Sequence, residues 1–359
     1  MNQTANTWRL LDTGIRRAAE NIAMNRALLE ARQQEIGPNT LRFLGFEPSA
    51  LLGFHQSAVQ ELNLDYCEAN GIAIQRRITG GGAIYFDTTQ LGWELYLHKR
   101  DLGTADMTAI SRRICEAVAR GISTLGITAM FRPRNDIEVD GRKISGTGGA
   151  FDGDALMYQG TLLIEFDVEK MLRVLNIPAE KLSDKAIASA RDRVTNLADL
   201  LGHIPAREDV INAISTALAC EFEVQFEPGQ LNAAEQRLYN DALSEIDHPD
   251  WVNMITHPAQ DRPIFSTTRK FAGGMLQVNI AYDRNHHRIK QIWFSGDVFI
   301  SPRRTLIDLE AALRDSHEDH LIKIVYDFFQ QRTVDMLTLT PEDIVTVIKE
   351  ALANAEVAA

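Results

Sequence analysis

The sequence predicts an α+β protein in two parts, and three observations carry that prediction. Short alternating apolar runs, two of them folded back at hairpin turns, are interspersed with amphipathic helical stretches. The most glycine-rich stretch, Gly80-Gly81-Gly82, joins two predicted strands, Ile72–Arg77 and Ala83–Phe86, instead of a strand and a helix. No helix N-terminus stands there to receive a phosphate, which excludes a Rossmann-type sheet. The third observation is a shift of composition near 228–263, where His248-Pro249, His257-Pro258 and Arg262-Pro263 interrupt a polar helix. That stretch reads as an interdomain linker, and it divides the chain into domains at 1–245 and 246–359.

From the amino terminus, Trp8–Leu11 is a brief strand, and Asp12 or Thr13 caps the helix that follows. Ala19, Ile22, Ala23, Leu28 and Leu29 recur at helical spacing from about 16 to 32, and Gly37-Pro38 ends the pattern. Leu41–Phe46 is a second strand; Pro48 opens a short helix containing Leu51 and Leu52, and 59–68 forms another. Trp93–Leu97 is extended. Ala109–Leu125 places Ile110, Ile114, Ala117, Val118 and Ile122 on one helical face. Asp140-Gly141 between alternating runs marks a hairpin that sets Lys143 on the departing strand. Gly148-Gly149 and Gly153 suggest a flexible loop before a strand at 161–166. Residues 168–190 are helical in places and broken at Pro178. The helix at 207–222 carries Glu208 and Asp209 in its first turn, where the macrodipole favours them. Beyond the linker, 271–281 and 288–294 form a hairpin around Asp283–His287, followed by helices at 305–314, 320–329 and 341–353. His286 and His287 are turn residues in this reading.

The chain has 359 residues, enough for about two domains. Its formal net charge of -12 argues against non-specific nucleic-acid binding. Three widely spaced cysteines, Cys67, Cys115 and Cys220, form no CxxC pair, so neither a disulfide framework nor a zinc site is indicated. No stretch approaches 18 consecutive apolar residues and no apolar signal core opens the chain, which predicts a cytoplasmic protein without a membrane partner.

Two cations, Arg76 and Arg77, precede the glycines, so a phosphate or carboxylate on that loop would find charge compensation and close backbone approach. Alternation on a strand turns at most one of the two arginines toward a ligand and leaves the other solvated. The loop matches neither GxGxxG nor the P-loop pattern.

Three patterns coincide in order: Arg76-Arg77-x-Thr79-Gly80-Gly81-Gly82-Ala83-x-Tyr85-x-Asp87, then Asn135-Asp136 with Asp140-Gly141-Arg142-Lys143-Ile144-Ser145-Gly146, then Gln159-Gly160-Thr161-Leu162-Leu163. With Arg191-x-Arg193-Val194-Thr195-Asn196-Leu197 and Asn21, these stretches resemble the lipoate–protein ligase family, within the group that includes biotin–protein ligases and octanoyltransferases. The resemblance covers about residues 8–225. Residues 271–298 look like the accessory domain of such ligases. The resemblance implies a mixed, largely antiparallel sheet with flanking helices, plus a small α+β accessory domain. It also implies a monomeric ligase that joins lipoate to ATP as lipoyl-AMP, with Mg2+, and passes the acyl group to a lysine of a lipoyl-carrier domain. The expected carriers are a 2-oxoacid dehydrogenase E2, a glycine-cleavage H-like protein or a specialised lipoate-binding protein.

By the same resemblance Lys143 is catalytic. Arg76, Arg77, Thr79, Gly80, Gly81, Gly82, Ala83, Asn135, Asp136, Ser145, Gly146, Gly160 and Thr161 surround ATP and the adenylate, and Asp136 is the expected Mg2+ contact. A point charge at Lys143 suits a site touching both an acyl carbonyl and a phosphate. Phe86 and Tyr158 depart from the family, which commonly has histidine at both positions. The rival is an ATP-independent octanoyltransferase, whose chemistry needs a cysteine thiolate. No cysteine lies between Ser145 and Gly160. A non-catalytic binding module would be expected to lose the lysine or the glycine loop, and a biotin ligase has a loop richer in arginine.

Overall fold

Alternation along two neighbouring strands decides the layering of the first half. Leu41 and Phe43 enter one apolar core together with Trp93, Leu95 and Leu97. The intervening Arg42, Glu94 and Tyr96 bond to Asn21 and Asn25 of the helix Ala18–Gln33, placing that helix over the opposite face. The structure is a computed structural model that describes residues 6–133, 135–176, 184–255 and 264–357. It falls into two units, one of residues 1–51, 62–75 and 84–248, the other of 52–61, 76–83 and 249–359.

Before residue 249 the strands are β1 (Asn6–Arg16), β2 (Thr40–Phe46), β3 (Ser49–Leu52), β4 (Ala73–Arg76), β5 (Ile84–Phe86), β6 (Gln90–His98), β7 (Met130–Arg132), β8 (Asp136–Val139), β9 (Arg142–Asp152), β10 (Ala155–Leu163) and β11 (Val224–Pro228). Eight of them form one sheet in the order β11-β1-β2-β6-β10-β9-β8-β7. Its β1 pairs are parallel and its other pairs antiparallel, so the fold is the expected α+β type with a mixed, largely antiparallel sheet. The helices Met107–Ser123 and Arg207–Phe222 close the core through Ile110, Ile114, Val118, Val210, Ile214 and Leu218.

Several local readings change. Leu51 and Leu52 lie on strand β3, paired with β5, because both are fully buried and the strand supplies the backbone partners that burial requires. The region around Gly148-Gly149 is not a loop but the middle of β9, and the turn falls at Gly153. The first helix is capped at Arg17, whose N–H donates to Glu20, since β1 runs on through Asp12 and Thr13. The polar helix within the stretch read as a linker is Ala233–Ile246, with a capping box of Asn232 and Glu235. Glu235 is buried in a bidentate pair with Arg9 at 2.6 and 2.7 Å, a partner 226 residues away. Pro178, His257-Pro258 and Arg262-Pro263 lie outside the described residues.

The second unit contains the antiparallel strands β12 (Ile264–Phe271), β13 (Gly274–Asp283) and β14 (Arg288–Gly296), with the hairpin at 283–288 as predicted. Helices Thr305–Leu313, Leu321–Gln330 and Pro341–Val357 share its core. Glu310 on the first of them is pushed up to about 7 by burial, partly offset by the N–H of Phe294, which donates to its carboxylate at 2.8 Å. A folded value above the ordinary one near 4.5 favours the protonated carboxyl in the native state. Its contribution to stability is present in full below about 4.5 and is lost as pH rises through about 7, up to about 3 kcal/mol in all. Thermal melting of the second unit at pH 5.5 and 8 is therefore expected to show a lower midpoint at pH 8, and Glu310→Gln to flatten the difference. An unchanged pH dependence in that variant overturns the assignment.

Candidate active site

The candidate residues form two groups, one in each unit. In the first unit the decisive feature is a bulge. Ile137 pairs with Ser145, but Glu138 pairs with Lys143, so Ile144 is the extra residue on β9. Without it Lys143 would share a face with Ser145. With it, Ile144 and Ser145 are both fully buried, and Lys143 is turned to the other face, where Asp136 lies across from Gly146. Lys143 Nζ is 2.7 Å from Asp136 Oδ1. Both side chains remain partly exposed, at 38% and 22%, which leaves the ammonium accessible to a ligand. Gly146 makes room for that geometry: a Cβ there would stand 2.8 Å from Lys143 Cε and Nζ. Thr161, which pairs with Gly146, shares this face.

Other members of the group serve the sheet. The Ser145 hydroxyl is buried with no hydrogen-bond partner among the described residues, on the core side and away from Lys143. Asn135 uses its amide and carbonyl to hold Thr147 of β9 at 2.8 to 3.2 Å. Gly160 is glycine because Trp93 occupies the space a Cβ would fill, 2.3 Å from its ring. One segment noted in the sequence but not placed in the site proves adjacent to it. Lys143 donates its backbone N–H to Arg193 O at 2.8 Å and accepts from Thr195 N–H at 2.9 Å, a parallel bridge that pins the strand at the lysine. Asn196 bonds the backbone of Phe166 at both amide ends and is structural.

The two departures from the family pattern are both core residues. The Phe86 ring packs tilted against Phe46, with centroids 4.7 Å apart. The Tyr158 hydroxyl meets Thr147 Oγ1 at 2.9 Å and Cys115 Sγ at 3.2 Å, and burial raises its pKa. Cys115 is itself buried, and burial raises its thiol, as it raises that of Cys67. Cys220 is exposed and lines a cavity of about 640 Å³ with Arg120, Leu125, Leu201 and His203, none of them a candidate residue.

In the second unit lies the glycine loop. Neither arginine is solvated: Arg76 is 0% exposed and Arg77 7%, and desolvation brings each guanidinium down to about 10, still charged at neutral pH. The expectation of one solvated arginine fails because both side chains find backbone carbonyls. Arg76 donates to those of Gly53, Phe54 and Gln56 at 2.6 to 3.0 Å, and to those of Trp251 and Val252 at 3.2 and 2.6 Å. Arg77 Nη2 donates to Gly80 O and Gly82 O at 3.1 and 2.9 Å, bracing the loop. Gly81 sits at φ +92°, and a Cβ on it would collide with the Phe299 ring at 2.7 Å. Thr79 is buried, and its carbonyl accepts from Phe54 N–H at 2.9 Å; Ala83 ends the segment.

Among the described residues no group of three or more His, Cys, Asp or Glu is arranged to hold a metal ion, and no helix is long and apolar enough to cross a membrane. The Asp136 carboxylate faces an ammonium, so as a magnesium ligand it is at most one member of a shell completed by phosphate oxygens.

The sequence profile of the lipoyl protein ligase A/B catalytic domain matches residues 17–219. An octanoyltransferase LipM of Kyrpidia tusciae is 27% identical over 269 residues, covering 68% of this chain and 98% of that protein. Among solved structures, the archaeal bipartite lipoate protein ligase of Thermoplasma acidophilum, described with its E2 lipoyl domain, is 28% identical, with a TM-score of 0.62 over 71% of this chain and 99% of its own. A lipoate-protein ligase A bound with ATP is 26% identical, with a TM-score of 0.59 over 70% of this chain and all of its own.

Proposed function

The chain belongs to the lipoyl protein ligase A/B catalytic domain family, and from that premise we propose that it is an ATP-dependent lipoate–protein ligase. The observation that carries this reading over transfer from an acyl thioester is the state of the thiols. Cys67 and Cys115 are buried with raised pKa, and Cys220 lies in a cavity with none of the candidate residues. A thiolate nucleophile needs surroundings opposite to those of Cys67 and Cys115, and Cys220 lies apart from the residues of the family pattern. In their place the outer face of β8 and β9 presents a partly exposed ammonium.

In the proposed reaction an oxygen of the lipoate carboxylate attacks the α-phosphorus of ATP, pyrophosphate leaves, and lipoyl-AMP forms. The carrier's lysine amine then attacks the acyl carbonyl, and AMP departs with the bonding electrons. Lys143 would stabilise the negative charge growing on the phosphoryl and then on the acyl oxygen. Asp136 holds the ammonium in place, and the bulge and Gly146 aim it. The preformed loop at Gly80–Gly82 would receive the phosphates, with Arg77 as its internal brace. Magnesium would arrive on ATP, with Asp136 as its protein ligand. The partner is a lipoyl-carrier domain, a reading supported by the archaeal ligase, which forms a lipoylation system with its own E2 lipoyl domain. Octanoate is the alternative acid.

The direct test is pyrophosphate release from ATP, Mg2+ and free lipoate, with and without a lipoyl-domain acceptor. Lipoate-dependent release followed by acyl transfer to the acceptor lysine is the expected result. Consumption of octanoyl-carrier thioester without pyrophosphate release overturns the reading and favours the LipM-type transferase.

A further inference from the structure

An arginine at the start of a glycine loop is an obvious anion ligand, yet the Arg76 guanidinium is directed to backbone carbonyls. Two of these belong to Trp251 and Val252, on the short helix Pro249–Asn253, beyond the residues that match the family profile. The bonding is reciprocal, because the Trp251 indole Nε1–H donates to the Arg76 carbonyl at 2.9 Å. The Trp251 ring is buried against Phe54, edge to face with centroids 6.1 Å apart.

We propose that Trp251 is a positioning residue for nucleotide binding, holding the glycine loop in shape through a reciprocal clasp with Arg76. This inference rests on the reading of Gly80–Gly82 as the phosphate-binding loop. The clasp reaches the loop by two routes. Along the chain, it fixes the backbone of Arg76, and the neighbouring Arg77 side chain binds the carbonyls of Gly80 and Gly82. Across the unit, Arg76 holds the carbonyls of Gly53 and Phe54. Phe54 N–H in turn binds Thr79 O, and Gly53 lies so close to the loop that a Cβ on it would stand 1.9 Å from Gly81 O. A loop held in this way needs no ordering when its anion arrives, so affinity for the anion is what the clasp supports. The reacting groups on the other unit take no part in it.

Trp251→Phe keeps a ring against Phe54 and removes the indole N–H. The variant is compared with the wild type by calorimetric titration with ATP and by steady-state pyrophosphate release. The expected result is ATP binding about tenfold weaker, with kcat within about twofold and the KM for lipoate unchanged. Unchanged ATP affinity overturns the clasp as a positioning device. A joint loss of kcat, lipoate KM and ATP affinity also overturns it, since that is what general loosening of the fold would produce. If the wild type releases no pyrophosphate with lipoate, the functional reading fails and the titration alone decides. Tenfold weaker ATP binding in the variant then still upholds the clasp, and equal or absent binding in both proteins overturns it. Should the phenylalanine variant not fold, Arg76→Lys, which keeps the charge without the planar fork, takes its place with the same expected split.

Discussion

Lys143→Ala is expected to lower lipoate-dependent pyrophosphate release by about 10²–10³-fold, the loss typical when one preplaced donor to a developing oxyanion is removed. The thermal midpoint is expected to stay nearly unchanged. Among the described residues the ion pair lost is the one with Asp136; both partners are partly exposed, and such pairs contribute about 0–1 kcal/mol. Lys143→Arg is expected to recover little. A planar fork cannot occupy the space over Gly146 that the lysine stem follows, where an added Cβ would lie 2.8 Å from Nζ. Measured rates within about tenfold of wild type for the alanine variant would remove Lys143 from the chemistry. A large fall in melting temperature alongside the loss would reassign it to the fold.

Arg42→Met is expected to produce the largest loss of stability. Arg42 is fully buried between β2 and the first helix. Its Nη1 donates to Glu94 Oε2 at 3.0 Å, and its Nη2 to Asn21 Oδ1 at 2.5 Å. Glu94 also accepts from Asn25 at 2.7 Å and from the Tyr96 hydroxyl at 2.6 Å. Removing the cation leaves a carboxylate in the interior without its counter-charge, which costs about 3–5 kcal/mol, or roughly 10 °C of melting temperature in a unit of this size. Adding Glu94→Leu is expected to restore part of that loss, because an apolar pair often replaces a buried ion pair at little net cost. If the single variant melts within about 2 °C of wild type, the network does not hold the helix to the sheet.

The sequence alone determined the family and most of the elements. The glycine run, the Asp140-Gly141 hairpin with Lys143 after it, and the helices near 107–123 and 207–222 all rest on local rules of turn chemistry and period. Departures arose wherever a distant partner decided the outcome. Leu51 lies on a strand because β5 is there to pair with it, and the Leu52 carbonyl accepts from Arg77 N–H at 2.8 Å. The polar helix 233–246 is packed, not linking, because Glu235 meets Arg9 across 226 residues. Within the candidate site, residue identity was legible but direction was not. Pairing with β8 inserts Ile144 as the bulge that turns Lys143 toward Asp136 and Ser145 into the core. The carbonyls of 53–56 and 251–252 turn Arg76 from an apparent anion ligand into the anchor of its own loop. Local propensity is set by neighbours in the chain. The aim of a charged side chain is set by the partners it finds in space, and only the tertiary structure supplies those.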